Sequence, residues 1–238
     1  MKHKAWMLAV ALLILGAAAL LLWPRGNRTI EETRTTVVSE FENDGEACPV
    51  NFEALQRING DIYAWLYIPG TEINQPLLQR NEDSSYYLTH NSLGRKDQGG
   101  ALFTESAYNR KDFSDPATVI YGEGTLFGSL QTSYSSLVGV EEYDEIIVYL
   151  PEREIRYQVF AAVPFRSYHL LYYFHFGNAG QRQEFLRLVS RIKTVDANWN
   201  KEIGIGANDP LLILSTPRRG DPSNSYLVLA KRIQDRIF

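Results

Sequence analysis

What most limits the fold of this chain is its rhythm. From residue 64 onward, short runs rich in Val, Ile, Tyr and Phe recur between breaks of Gly, Pro and Asn. β-Branched and aromatic side chains pack well on a pleated surface, so such runs predict strands. They are Ala64–Ile68 (closed by Pro69-Gly70), Ile73–Gln79, Tyr86–Thr89, Ala101–Phe103, Thr118–Tyr121, Glu145–Leu150, Ile155–Val163, Leu211–Ser215 and Tyr226–Ala230. One clear helix interrupts them, Gln181–Lys193, where Phe185, Leu188, Val189 and Ile192 form a stripe spaced by three and four. A shorter amphipathic helix is predicted over Val50–Asn59 from Phe52, Leu55 and Ile58, with Gly60 as its C-cap. Many short strands with few helices leave a barrel and a sandwich both open.

The N-terminus is of another kind. Ala5–Trp23 carries no charge over 19 residues. As a helix this run spans roughly 28 Å, close to a hydrocarbon core of about 30 Å. Trp6 and Trp23 sit at its ends, where interfacial aromatics are favoured, and Lys2 and Lys4 precede it. It is expected to be an uncleaved signal-anchor, with residues 1–4 cytoplasmic, 24–49 an extracytoplasmic stalk and 50–238 the folded domain outside the cell membrane. A cleaved signal peptide is the competing reading, since Ala17-Ala18-Ala19 mimics a cleavage site; Leu20-Leu21-Leu22 continues the apolar run past it.

Charge and cysteine content exclude several function classes. The chain has 24 basic and 28 acidic residues, a net of −4, so nucleic acid is not an expected partner. A single Cys, Cys48, rules out an internal disulfide and a multi-Cys zinc site. His169 and His175 lie six apart without an acidic cluster, so they are not expected to bind a metal, and His90, standing alone, reads as a surface or structural His in a turn. No metal or cofactor is expected. Tyr67, Tyr86, Tyr87, Tyr172 and Tyr173 read as core packing.

Several segments together resemble the class B sortases. They are Asn59-Gly60-Asp61 running into Ala64–Thr71, Gln75–Gln79, Tyr86–Asn91, Gly99–Phe103, Val119–Gly122 followed by Phe127–Leu130, and Leu212–Thr216 followed by Leu227–Lys231. Each is weak alone, but their order and spacing cover residues 51–232. The resemblance implies an eight-stranded β-barrel with flanking helices. It also implies a family that cleaves a sorting signal, forms a thioacyl enzyme and passes the chain to an amine on the cell wall or a pilin.

The three groups that this chemistry needs are absent at the matching positions. A thiolate nucleophile would stand at Pro217, an acid–base His at Glu123, and an oxyanion-binding Arg at Tyr226. Proline supplies neither a nucleophile nor an N–H. The candidate groove is therefore Glu123, Ser215, Thr216, Pro217, Arg218 and Tyr226, and the expectation is an inactive, membrane-anchored sortase-like protein. It would hold a sorting-signal peptide, a pilin or an active sortase. One alternative is an active transpeptidase using Ser215 or Thr216 with Glu123 as base. Another is a structural or sensing domain whose groove is filled by Glu123, Pro217 and Tyr226. Glu123 and Arg218 are expected at the groove mouth, as two solvated rim charges or as an ion pair.

Overall fold

The computed structural model describes residues 47–137 and 144–238. The apolar run Ala5–Trp23, its flanking tail and the stalk up to residue 46 lie outside the described residues. Among the described residues no helix is long and apolar enough to cross a membrane.

The chain opens with helix α1 (Phe52–Ile58), capped by the Asn51 side chain, which accepts a 3.0 Å bond from the Ala54 N–H. Strands β1 (Ile62–Tyr67), β2 (Asn74–Leu78), β3 (Leu102–Phe103) and β4 (Ala117–Tyr121) follow. Helix α2 (Gly124–Leu137) separates β4 from β5 (Glu145–Leu150) and β6 (Arg153–Arg166). Helices α3 (Leu170–Tyr173) and α4 (Ala179–Ser190) and the two-residue β7 (Asn198–Trp199) lead to β8 (Leu211–Arg218) and β9 (Asp221–Ile237). The sheet order is β5-β1-β2-β3-β4-β8-β9-β6-β7, and β5 also pairs with β6. That last pairing closes eight strands into a ring and leaves β7 outside it, so the barrel expectation holds and the sandwich falls.

The two faces of the ring bury different cores. Inside lie Ala64, Leu66, Ile120, Tyr157, Leu212, Leu214, Tyr226 and Val228, with Phe127, Leu130 and Tyr134 of α2 packed against them. Outside, Val119, Phe160, Leu211, Ile213, Leu227 and Leu229 meet Leu170, Leu171, Phe185 and Val189 of α3 and α4. A strand covered on both faces reads as an unbroken apolar run, as Leu211–Leu214 does. One edge of β4 is sealed by a side chain. Asn109 donates to the Ala117 carbonyl (2.8 Å) and accepts from the Val119 N–H (3.0 Å), taking the place of a neighbouring strand.

Some expectations need correction. Tyr86–Thr89 is no strand; Tyr86–Leu88 forms a 3₁₀ turn. Its aromatics pin a loop instead: Tyr87 donates to Asp61 at 2.7 Å, and Tyr86 stacks on His90 with centroids 3.8 Å apart. Tyr172 and Tyr173 are not core; they are 65% and 57% exposed. Leu170 and Leu171 anchor α3 from its other side. The Gln181–Lys193 helix begins two residues early and stops at Ser190. Gly60 is not the cap of α1, which ends on Asn59.

Candidate functional site

Strand directions decide which side chains meet. β4 and β8 are parallel and in register, with Tyr121 opposite Ser215, and the Gly122 N–H donates to the Ser215 carbonyl at 3.1 Å. β9 runs antiparallel to β8, with Thr216 opposite Tyr226 and Pro217 opposite Ser225. Glu123, Pro217 and Tyr226 thus fall at one end of the barrel, the end where β4 and β8 finish. Gly122 is required there. A Cβ on it would lie 2.6 Å from both Leu102 Cδ2 and Phe127 Cδ2.

A pocket of about 420 Å³ opens at this end, lined by Glu123, Phe127, Gly128, Gln131 and Thr216–Arg219. Four of the six sequence candidates, Glu123, Thr216, Pro217 and Arg218, therefore share one pocket. Ser215 and Tyr226 do not line it. Pro217 is exposed, whereas Thr216 is buried beneath it.

Tyr226 points into the barrel and is fully buried. Its hydroxyl donates to the Asp196 carbonyl at 2.8 Å. Burial first, and the nearby Asp196 charge second, push this phenol well above its ordinary range. Arg218 also turns to Asp196. Its Nη2 and Nε lie 2.9 and 3.1 Å from Asp196 Oδ2, and its Nη1 lies 3.6 Å from Asp221. Of the two readings of the groove mouth, the Glu123–Arg218 ion pair is not made, because Asp196 and Asp221 hold the guanidinium instead. Gln131 of α2 joins the network, donating to Asp196 at 3.4 Å and accepting from the Arg219 N–H at 2.8 Å. Desolvation opposes ionisation of Asp196. The Thr194 hydroxyl, its own backbone N–H and the Arg218 guanidinium outweigh it and hold the carboxyl below its usual range.

Glu123 and Thr216 share the pocket, but among the described residues no hydrogen bond joins Glu123 to Ser215 or Thr216. Cys48 is half-buried, its thiol donating to the Leu150 carbonyl at 3.6 Å. β5 runs opposite to β8, so Leu150 and Cys48 sit at the far end of the barrel from Pro217. His169 has a structural task. Its Nδ1 accepts the Tyr172 N–H at 3.1 Å, capping α3, and its Nε2 lies 2.8 Å from Glu105. Among the described residues no three His, Cys, Asp or Glu side chains gather as metal ligands.

Sequence reasoning misses Asp196 and Gln131. Asp196 comes from an irregular stretch with no periodicity. Gln131 lies on α2, whose Gly- and Ser-rich sequence hides a stripe of Phe127, Leu130 and Tyr134 at helical spacing.

No protein-family model matches the chain. Sortase B of Listeria monocytogenes is 31% identical over 147 residues, 55% of this chain and 59% of the relative. The aligned stretch thus spans less than two thirds of that protein. Sortase B of Staphylococcus aureus is 25% identical over 189 residues, 77% of this chain and 75% of the relative. A solved Staphylococcus aureus sortase B–substrate complex shares the fold at a TM-score of 0.67 and 22% identity, covering 88% of this chain and 96% of that one. A closed eight-strand ring with its pocket at the ends of two parallel strands is, by these likenesses, a sortase fold. Within that class, the relatives that the chain resembles in sequence are both sortase B proteins.

Proposed function

We propose that this protein is a membrane-anchored sortase-like protein without catalytic activity, which binds or assembles components of surface-protein or pilus display at the cell wall. The observation that supports this most is the state of the pocket rim. Glu123 and Pro217 line the pocket where the resemblance expects His and Cys, Tyr226 at the expected Arg position is turned into the barrel, and Tyr226 and Arg218 are both bonded to Asp196. A guanidinium held by a carboxylate is a poor oxyanion donor, and no thiol stands at this end. The partner proposed is a sorting-signal peptide, because the Staphylococcus aureus relative has been solved with substrate and the pocket here retains an apolar wall at Phe127 and Pro217. Anchoring rests on the uncharged run Ala5–Trp23.

A second reading, a structural or sensing domain with a filled groove, draws support from the burial of Ser215 and Tyr226. One experiment separates the two. Full-length protein in micelles is mixed with a sorting-signal peptide library, and cleavage and binding are followed together. Saturable binding without cleavage is expected. Cleavage that disappears in Thr216→Ala or Glu123→Ala protein would overturn the inactive reading, and the absence of binding would favour the filled groove.

A further inference from the structure

The one-turn helix α3 is capped by a histidine. An N-cap side chain has to accept a hydrogen bond, which is why Ser, Thr, Asp and Asn are preferred there. His169 fills the role through Nδ1, which takes the Tyr172 N–H at 3.1 Å. The same N–H reaches the His169 carbonyl, also at 3.1 Å. A neutral imidazole has one acceptor nitrogen. An imidazolium has none, because both of its nitrogens carry a proton. The side-chain cap on α3 therefore exists in only one charge state of the residue that makes it.

The surroundings hold the ring in place in both states. Nε2 lies 2.8 Å from Glu105 Oε2, and the Glu105 side chain is only 13% exposed. Among the described residues Glu105 makes no ion pair with Lys or Arg. Tyr108 packs on the imidazole with centroids 4.7 Å apart, and Tyr172 meets it edge-on at 6.5 Å. Behind Glu105 stands Tyr121 of β4, whose phenol burial first, and the Glu105 charge second, push well above its ordinary range, so it stays protonated. Glu105 and Tyr108 from the loop after β3, Tyr121 from β4 and Tyr172 from α3 are thus the titratable groups brought to His169, and Glu105 is the charged one. A second proton on the ring meets a favourable carboxylate beside Nε2 and an opposing N–H at Nδ1. The helix also carries part of a row of exposed rings. Contacts run from Tyr108 through His169 to Tyr172, Tyr173 and Tyr168, with neighbouring centroids 4.7–6.5 Å apart.

We propose that α3 is a pH-sensitive segment: protonation of His169 at Nδ1 removes the helix's own cap, loosens the Leu170–Tyr173 turn and releases the row of exposed tyrosines built on it. The proton comes from solvent, which reaches the ring because the His169 side chain is 36% exposed, and Glu105 receives the imidazolium as its ion partner. Leu170 and Leu171 stay buried against the outer core, so the change is a local opening of one turn. Imidazole is the side chain whose charge ordinarily changes between about pH 5 and 8, so the cap is present above that range and lost below it. None of this depends on what the pocket at the barrel mouth binds.

The test is nuclear magnetic resonance of full-length protein in micelles, isotope-labelled at the His and Tyr nitrogens. At about pH 8 the His169 Nδ1 shift should be that of an unprotonated, hydrogen-bonded nitrogen, and at about pH 5 that of a protonated one. Over the same interval the protection of the Tyr172 amide, referred to an unfolded chain at each pH, should fall about fivefold, the scale of one lost N-cap bond. The amides of Tyr149 in β5 and Tyr157 in β6 should keep theirs. His169→Asn retains an acceptor that does not titrate, so its Tyr172 protection should match the parent's at the upper pH and stay there in acid. The proposal is overturned if Nδ1 carries the proton at the upper pH, if Tyr172 protection is unchanged as His169 titrates, or if His169→Asn shows the same loss in acid.

Discussion

Replacing Asp196 with Asn keeps the shape of the side chain and removes the charge that Arg218 is built around. Two guanidinium nitrogens reach Asp196 Oδ2, at 2.9 and 3.1 Å, and the carboxylate is only 13% exposed against 27% for Arg218. Hydrogen bonds to charged groups contribute about 1.5–3 kcal/mol each, and an amide oxygen retains part of that. Water at Arg218, and Asp221 at 3.6 Å, offset more. The expected net loss is therefore about 1.5–2.5 kcal/mol at neutral pH. For a domain of this size that lowers the melting temperature by about 3–10 °C. Near-UV circular dichroism of the two proteins, melted in parallel, reads the difference.

The pH dependence has a fixed sign. The folded carboxyl titrates below its ordinary value of 3.8, so its stabilisation is present above that value and is lost as pH falls through the lower folded pKa. The gap between parent and variant should be full at pH 7 and narrow steadily below pH 4. A gap under about 1 °C at pH 7, or one that persists undiminished in acid, refutes the reasoning. So does an Arg218→Met substitution that costs as much in the Asp196→Asn variant as in the parent.

Three other outcomes follow from the same geometry. Gly122→Ala should destabilise by about 1–3 kcal/mol, measured by urea midpoint, because its Cβ meets Leu102 and Phe127, both buried. Asn109→Ala leaves the Ala117 carbonyl and the Val119 N–H without their partner, at a cost of at least about 2 kcal/mol and with faster amide exchange at Val119. The triple variant Pro217→Cys, Glu123→His, Tyr226→Arg should cleave a sorting-signal peptide weakly at most, since Tyr226 occupies a fully buried position bonded to Asp196 and a guanidinium there loses that seat. Robust turnover by the triple variant would show that the surrounding shell still supports chemistry.

Much of the barrel is legible in the sequence because its strands are short, apolar and punctuated. Leu211–Leu214 and Ile155–Val163 announce themselves by composition alone. What the sequence hides is where aromatics go. The Tyr86–Leu88 turn and the exposed Tyr172 and Tyr173 have the composition of strand or core, and only tertiary contacts decide otherwise. That positions 123, 217 and 226 fall at one end of the barrel is legible through the resemblance, but Asp196, the partner of Tyr226 and Arg218, is not. It sits between elements, and its role exists only once β8, β9 and α2 surround it. The inward orientation of Tyr226 does leave a trace, since it shares strand parity with Val228 and Ala230.

The pairing of β5 with β6 bears on how any partner can be held. An open sheet offers its outermost strand as a template, and a visiting peptide can simply extend the ladder. Here the ring returns on itself, β4 has the amide of Asn109 over its flank, and the terminal strand is β7, two residues long. Strand addition therefore has almost no purchase on the described domain. Recognition is left to side chains lining concavities, so specificity rests on a few residues at the barrel mouth that can change without disturbing the ladder beneath them.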